Sequence, residues 1–237
     1  MASYHLSIKS GTKGKAASHS AYISRVGKHG RNREDLIAME YGNMPDWALG
    51  NPLQFWHMAD AHERINGAAY REFELALPSE LNTEQQRELL DSFIQKEVGN
   101  KPYQLAIHEP TASLGSVKQP HAHIMISDRI PDDIPRPPEQ VFKRFNASKP
   151  ELGGCKKDSG GKDRATMRSA LTECRANWAN LQNAALIKYG HTARVDHRSN
   201  AERGISVSPE KHLGQAGVSN MTPEEKQLVQ EQRKGKK

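Results

Sequence analysis

The sequence has little of what stabilises secreted or membrane-spanning folds. Its 237 residues include only two cysteines, Cys155 and Cys174, which match no zinc-binding spacing, so we interpret both as reduced thiols. No apolar run approaches the length of a membrane span, and the N-terminus lacks the apolar core of a signal peptide. These absences predict a cytoplasmic protein with no membrane insertion.

Acidic residues are missing from the first 33 positions, and the whole chain has a formal net charge of +6. A basic balance favours polyanionic partners, because nothing in the N-terminal stretch repels a phosphate. The cations of that stretch are Lys9, Lys13, Lys15, Arg25, Lys28, Arg31 and Arg33.

Two histidines lie on one face of a predicted strand at residues 119–127. Ala122 and Ile124 alternate there with His121 and His123, and this period of two predicts one apolar and one polar face. Two imidazoles on the same face can bind one metal ion. The alternative is that both are ordinary solvated residues on an edge strand.

An upstream run at residues 103–108 alternates in the same way and ends in His108. If the two runs form an antiparallel hairpin, His108 lies beside His121 and His123. Three neutral imidazoles with open positions are typical of a catalytic metal site, whereas structural sites close the fourth position with another protein ligand. The hairpin therefore predicts a metal centre at one end of the sheet.

Tyr22 is flanked by small residues and cations in a predicted helix at residues 16–27. A tyrosine is a poor nucleophile at its usual pKa of about 10, but nearby cations lower the cost of the phenolate. A tyrosine activated in this way is suited to attack on a phosphodiester. The alternative is that Tyr22 packs on an amphipathic helix with its hydroxyl at the rim.

Two carboxylates share the polar face of a predicted strand at residues 70–77. Phe73 and Leu75 indicate the buried face, so Glu72 and Glu74 lie together on the other. There they can orient a histidine or help to activate a nucleophile. An ordinary solvated strand face is the alternative for both.

The order of predicted elements indicates an α+β fold. Strands with one apolar and one polar face predict an antiparallel sheet with helices packed on one face and an open face for ligand binding. We expect residues 34–50 to be turn-rich, residues 150–163 to form a mobile loop, and residues 193–196 to be strand-like. The other predicted helices are residues 52–66, 82–98, 139–145 and 164–189.

These motifs together resemble the MobA/MobL family of plasmid mobilisation relaxases, which belong to the HUH endonuclease group. The resemblance runs from residue 1 to about residue 214 with the motifs in matching order. It is carried by Ser20-Ala-Tyr-Ile-Ser-Arg25, Phe73-Glu-Leu-Ala-Leu-Pro78, His108, Pro120-His-Ala-His-Ile-Met-Ile-Ser127, Phe142-Lys-Arg-Phe-Asn146 and Arg194-Val-Asp-His-Arg198.

The resemblance implies a relaxase domain at residues 1–214 in which the open face of the sheet binds DNA. The polar composition that follows predicts a tail or linker at residues 215–237. The resemblance also implies nicking and rejoining of single-stranded DNA at a plasmid transfer origin, with a 5′-phosphotyrosyl intermediate and a free 3′-hydroxyl. The enzyme would act as a monomer on DNA, with accessory mobilisation proteins and a coupling protein as further partners. Mg or Mn would be the divalent ion.

The residues assigned by this resemblance are catalytic Tyr22 and Glu74, with His108, His121 and His123 as metal ligands. We expect DNA contacts from Lys9, Lys13, Lys15, Arg25, Lys28, Lys143, Arg144, Arg194 and Arg198.

Three alternatives remain open. A rolling-circle replication initiator of the same group shares the paired histidines, but its tyrosine follows them in the chain, whereas Tyr22 precedes them. A DNA-binding module without catalysis would account for the basic charge alone. A three-histidine zinc hydrolase of small molecules fits that charge poorly.

Overall fold

One antiparallel sheet of five strands forms the centre of the protein. The computed structural model describes residues 3–112, 114, 117–207 and 213–234. The strand order is β1-β3-β5-β4-β2, and each neighbouring pair is antiparallel. This confirms the predicted α+β class and the predicted hairpin. The strands are β1 (Leu6–Thr12), β2 (Leu36–Gly42), β3 (Ala68–Ala76), β4 (Tyr103–His108) and β5 (His121–Ile126).

The larger core lies on the sheet face that carries Leu75, Leu105 and Ile124. Helices α3 (Thr83–Phe93) and α5 (Arg164–Lys188) cover this face. Helix α3 begins with reciprocal side-chain and backbone hydrogen bonds between Asn82 and Gln85. It continues as one π-helical turn, Ile94–Val98, and ends at Gly99, which has a φ of 62°.

The opposite sheet face is less open than we expected. Helices α1 (Ala16–Ile23) and α2 (Pro52–His62) pack on it through a second core that includes Trp56, Ala106 and Met125. Met125 is fully buried, because these helices shield the end of β5 that lies away from the histidines. The open part of this face lies over β1, β3 and the start of β5.

Strand β2 lies inside the stretch that we predicted to be turn-rich. It lies at the edge of the sheet beside β4, and its residues alternate between half-buried and exposed. Ile37, Met39 and Tyr41 share one face of the strand and are 43%, 44% and 45% exposed. Residues 36–41 are apolar except for Glu40, so the sequence lacks the alternation of apolar and polar residues that marks a half-buried strand.

The segment predicted to be a mobile loop is packed against the connection that follows β5. Arg129 donates to the backbone carbonyl of Cys155 at 2.7 Å and pairs with Glu63 of the segment after α2 at 2.9 Å. Arg129 and Glu63 are both nearly fully buried. Short helix α4 (Pro138–Val141) lies in the chain between the connection after β5 and residues 150–163. Through Arg129, the end of α2 is therefore linked to both of these segments.

Residues 191–199 follow α5 without forming the predicted strand. The C-terminal elements are α6 (Gly214–Ser219) and α7 (Pro223–Lys234), and residues 208–212 and 235–237 lie outside the described part of the chain. The domain boundary at residue 214 stays a prediction. Both cysteines are buried and free, and no helix within the described ranges is long and apolar enough to cross a membrane.

Candidate active site

Three histidines converge where β4 ends and β5 begins. His108 and His121 lie opposite each other in the β4–β5 register, and His123 lies two residues further along the same face. The centroid of the His108 ring is 5.5 Å from that of His121 and 5.1 Å from that of His123, and the centroids of the His121 and His123 rings are 5.1 Å apart. One nitrogen of each ring lies within 4.8 Å of the others, so the three have the spacing of a metal-binding cluster.

Burial favours the neutral, metal-binding form of two of these rings. His108 is fully buried, and burial lowers its pKa to about 4. Burial also lowers the pKa of His121. Metal ions bind the neutral imidazole, so burial removes the competition with protons that an exposed histidine meets near neutral pH.

Two of the rings have one nitrogen fixed and the other left for a ligand. The Nδ1–H of His121 donates to the carbonyl of Gln119 at 2.9 Å, and the Nδ1–H of His123 donates to Glu72 at 2.8 Å. His108 uses both nitrogens, since its Nε2–H donates to the carbonyl of Ile23 at 2.7 Å and its Nδ1 accepts from Arg25 at 3.2 Å. Binding an ion through His108 therefore requires one of these two partners to be exchanged.

The carboxylate that contacts a candidate ligand is Glu72, whereas we had assigned the catalytic role to Glu74. One oxygen of Glu72 accepts from both His123 and His19. Burial alone would raise the pKa of Glu72, but these hydrogen bonds outweigh it and lower the pKa to about 2. Glu74 instead pairs with Lys9.

Tyr22 lies in the last turn of α1, and 40% of its surface is exposed. Its ring stacks against His19 at 5.8 Å and meets the edge of His29 at 5.4 Å, and the guanidinium carbon of Arg25 lies 4.9 Å from its centroid. The ring is therefore confined by its neighbours while part of it stays accessible.

Arg25 is a structural contact of the site, although we predicted that it binds DNA. It is 6% exposed and pairs with both oxygens of Asp35, at 2.8 and 2.9 Å. Its φ of 53° lies in the left-handed region, which costs a non-glycine residue on the order of 1–3 kcal/mol. The contacts with Asp35 and His108 offset this strain.

A buried polar cluster fixes α1 to the strand that carries His108. The side-chain oxygen of Gln104 in β4 accepts from Ser20 at 2.7 Å and from Trp56 at 2.9 Å. Its side-chain nitrogen donates to Ser24 at 2.6 Å. Since Ser20 and Ser24 flank Tyr22, this cluster sets where the tyrosine lies relative to the sheet.

A cavity of about 460 Å³ opens between α1 and the sheet. It brings Tyr22 together with two of the three histidines, with both carboxylates of β3 and with two cations. Its lining is Lys9, Ser10, Gly11, Thr12, Lys15, His19, Tyr22, Tyr70, Glu72, Glu74, His121 and His123.

Comparison with known sequences agrees with the resemblance drawn from the motifs. Residues 21–222 match the MobA/MobL family. The chain belongs to the MobA/MobL family. It is 49% identical over 207 residues to the 43 kDa relaxation protein of Salmonella typhimurium, covering 86% of this chain and 56% of that protein. It is 42% identical over 219 residues to mobilization protein A of Escherichia coli, covering 90% of this chain and 30% of that protein.

The chain thus spans about half, or less, of the length of these two MobA/MobL relatives. Among solved structures it is similar to one described as "Molecular Basis of Vancomycin Resistance Transfer in Staphylococcus aureus". The TM-score is 0.59 at 23% identity, and the match covers 84% of this chain and 100% of that one. This likeness bears on the fold alone.

The other predicted DNA contacts of this MobA/MobL chain lie outside the cavity. The Lys13 amine donates to the carbonyl of Ala61 at 2.9 Å. Arg198 pairs with Asp196 two residues away, at 2.8 Å, and Arg194 donates to nearby carbonyls. The three remaining cations are exposed and do not line the cavity: Lys28, Lys143 and Arg144.

His19 is a titratable residue of the cavity for which the sequence predicts no role. It lies three positions before Tyr22 in the same helix, so both side chains project from one helix face. That spacing was visible in the sequence. The contact with Glu72 was not, because it depends on how α1 lies across β3.

Proposed function

We propose that the protein cuts one strand of DNA at a plasmid transfer origin through Tyr22 and later reseals it. The observation that carries this proposal is that Tyr22, His121 and His123 line the same cavity. Membership of the MobA/MobL family and the likeness to named relaxation and mobilisation proteins support it.

Tyr22 is better suited to attack than partly buried Tyr4 or buried Tyr70. Burial raises the pKa of Tyr4 and of Tyr70 to about 12, so their phenolates are costly to form. Tyr41 is also exposed, but it lies on edge strand β2 and does not line the cavity. Among these four tyrosines, Tyr22 alone combines exposure with a cationic neighbour over its ring.

The reaction exchanges one phosphodiester for another. The phenolic oxygen of Tyr22 forms a bond to phosphorus, and the bond from phosphorus to the 3′-oxygen of the DNA breaks. The phenol gives up a proton and the departing 3′-oxygen gains one, which leaves a 5′-phosphotyrosyl bond and a free 3′-hydroxyl. Since no water is consumed, the step can run backwards to rejoin the strand.

His108, His121 and His123 have the donor type and the spacing to hold a divalent ion, and we infer Mg or Mn. Such an ion, when bound, stabilises the negative charge that develops on the phosphate oxygens. Glu72 fixes the Nδ1–H of His123 and thereby points its other nitrogen towards the ligand position. Glu72 thus takes the place that the sequence predicts for Glu74, which pairs with Lys9.

Binding of single-stranded DNA would use the open part of the sheet face and the exposed cations around it. Lys15 lines the cavity, and Lys28, Lys143 and Arg144 are exposed elsewhere on the surface. We expect a plot of log Kd against log salt concentration to have a slope of several units, because each phosphate contact releases counterions from the DNA. The protein would act as a monomer in the cytoplasm, with accessory mobilisation proteins and a coupling protein as further partners.

The decisive experiment incubates the protein with a labelled single-stranded transfer-origin oligonucleotide and Mn²⁺. We expect a covalent protein–DNA adduct, with mass spectrometry locating the DNA on Tyr22. Tyr22→Phe keeps the ring but lacks the nucleophile, so it should bind the oligonucleotide normally and form no adduct. Tyr41→Phe is the matched control, since it alters an equally exposed tyrosine outside the cavity, and it should react like the wild type.

Two results would contradict the proposal. An adduct in Tyr22→Phe would keep the reaction and move the nucleophile to another residue. Binding without any adduct in the wild type would instead favour a DNA-binding module without catalysis.

A further inference from the structure

His19 has no part in the chemistry described above, yet it contacts the proposed nucleophile directly. Its ring lies between two tyrosines, stacked against Tyr22 at 5.8 Å with an interplanar angle of 27°, and on Tyr70 at 5.0 Å with an angle of 12°. Three nearly parallel rings therefore run from the sheet surface out to Tyr22. Offset ring pairs at these distances attract beyond simple burial of area.

The inner ring of this stack is fixed by the sheet. Tyr70 is 8% exposed and lies over Gly11 of β1. A Cβ at position 11 would lie 1.8 Å from the Tyr70 ring, so only glycine leaves room for the ring there. Trp56 meets the same ring at 6.3 Å with an angle of 70°. Tyr70 thus provides a rigid base on which His19 rests.

A hydrogen bond also connects the middle ring to a candidate metal ligand. The Nε2–H of His19 donates to an oxygen of Glu72 at 2.7 Å, and the same oxygen accepts from His123 at 2.8 Å. Side-chain contacts therefore run without a break from the candidate ligand His123 through Glu72 and His19 to Tyr22. An ordinary solvent-facing histidine on a helix surface has neither a stacked aromatic partner nor a hydrogen bond to a buried carboxylate, and His19 has both.

We propose that His19 is a positioning residue that holds the ring of Tyr22 in the orientation needed for attack on the phosphodiester. This inference rests on the proposed function. His19 acts through its ring, which limits the rotation of the Tyr22 side chain together with the other two neighbours of that ring, His29 and Arg25. Misplacing a reacting group by about 1 Å can slow a reaction by about 100-fold, and so the loss of the ring should lower the rate of attack.

The test compares three variants with distinct losses. His19→Ala removes the ring and the hydrogen bond, His19→Gln keeps a polar donor without a ring, and His19→Phe keeps a ring without the hydrogen bond. The single-turnover rate of adduct formation is measured at saturating oligonucleotide, together with the Kd for the oligonucleotide and for Mn²⁺. His57→Ala, at an exposed histidine of α2, is the control.

We expect His19→Ala and His19→Gln to form the adduct about 10- to 100-fold more slowly, with both Kd values within about threefold of the wild type. His19→Phe should recover most of the rate, and the control should match the wild type. The glutamine variant keeps the test valid if the alanine variant does not fold. Recovery by phenylalanine separates positioning from a general loss of structure.

The inference is overturned if His19→Ala and His19→Gln react at the wild-type rate, or if His19→Phe is no faster than they are. It is also overturned if the variants lose DNA affinity and keep the rate, since His19 would then be a DNA contact. Failure of the wild type to form any adduct would be a failure of the proposed function instead, and the two cases are therefore distinguishable.

Discussion

The two glutamates of β3 allow a sharp test of how the metal centre is built. Glu72 and Glu74 have the same chemistry and lie on the same face of one strand, but only Glu72 accepts a hydrogen bond from a candidate ligand. We predict that Glu72→Gln weakens Mn²⁺ binding and that Glu74→Gln does not. The pKa of Glu72 is lowered to about 2, so the carboxylate is fully charged at neutral pH.

The expected magnitude follows from the hydrogen bond between Glu72 and His123. A hydrogen bond to a charged group is worth about 1.5–3 kcal/mol, against about 0.5–1.5 kcal/mol for a neutral one. Glutamine keeps an oxygen acceptor, so its loss is on the order of 1–1.5 kcal/mol, or about 10-fold in Kd. Glu72→Ala leaves the Nδ1–H of His123 without this acceptor, and we expect a loss nearer to 100-fold.

Isothermal titration calorimetry with Mn²⁺ at neutral pH measures these differences directly. Glu74→Gln removes only the pairing with Lys9, so its Kd for Mn²⁺ should stay within about twofold of the wild type. Equal weakening by both glutamine variants, or a wild-type Kd in Glu72→Gln, would refute the reasoning. If the wild-type protein itself binds no Mn²⁺, the histidine cluster is not a metal centre.

Three further predictions concern stability, measured by urea or thermal unfolding of metal-free protein. Burial lowers the pKa of His108 from 6.5 to about 4, so the unfolded chain gains its proton first as the pH falls. The free energy of unfolding should therefore drop by about 3 kcal/mol between pH 6.5 and 4, and His108→Asn should flatten this slope. Gln104→Leu leaves buried polar groups unpaired and should cost about 2–4 kcal/mol. Glu63→Ala leaves buried Arg129 without its carboxylate and should cost about 3–5 kcal/mol, whereas Glu88→Ala, at an exposed ion pair, should leave the melting temperature unchanged.

The histidine hairpin was predictable because its signal is local. The alternation of residues 103–108 and 121–126 gives both strands, and consecutive strands joined only by residues 109–120, with no helix between them, favour antiparallel pairing. His108 and His121 then come together as a direct consequence of the register.

The choice between Glu72 and Glu74 could not be made from the sequence or even from the strand register. Glu74 lies directly opposite His123, yet the hydrogen bond runs diagonally from His123 to Glu72. Diagonal pairs are within reach of long side chains in a twisted sheet, and His19 on α1 adds a second donor to Glu72. These preferences depend on packing between distant elements.

Two errors in the predicted elements have physical causes. Edge strand β2 was not predicted because residues 36–41 are apolar except for Glu40, so they show no apolar–polar alternation, and the face of Ile37, Met39 and Tyr41 is exposed instead of buried. Helix α1 was predicted to end at Gly27, the usual type of residue for a left-handed helix end. The chain instead uses Arg25 there: its N–H donates to the carbonyl of Tyr22, and that of Val26 donates to the carbonyl of Ala21.

Helix α1 is eight residues long, too short to persist by itself in water. Asp60 of α2 accepts the backbone N–H groups of Gly14, Ala16 and Ala17 at one end, and Asp35 clamps Arg25 at the other. An engineer who grafted this helix alone onto another scaffold would obtain a frayed peptide. Transfer of the tyrosine to a new protein would have to include both aspartates and the strand beneath them.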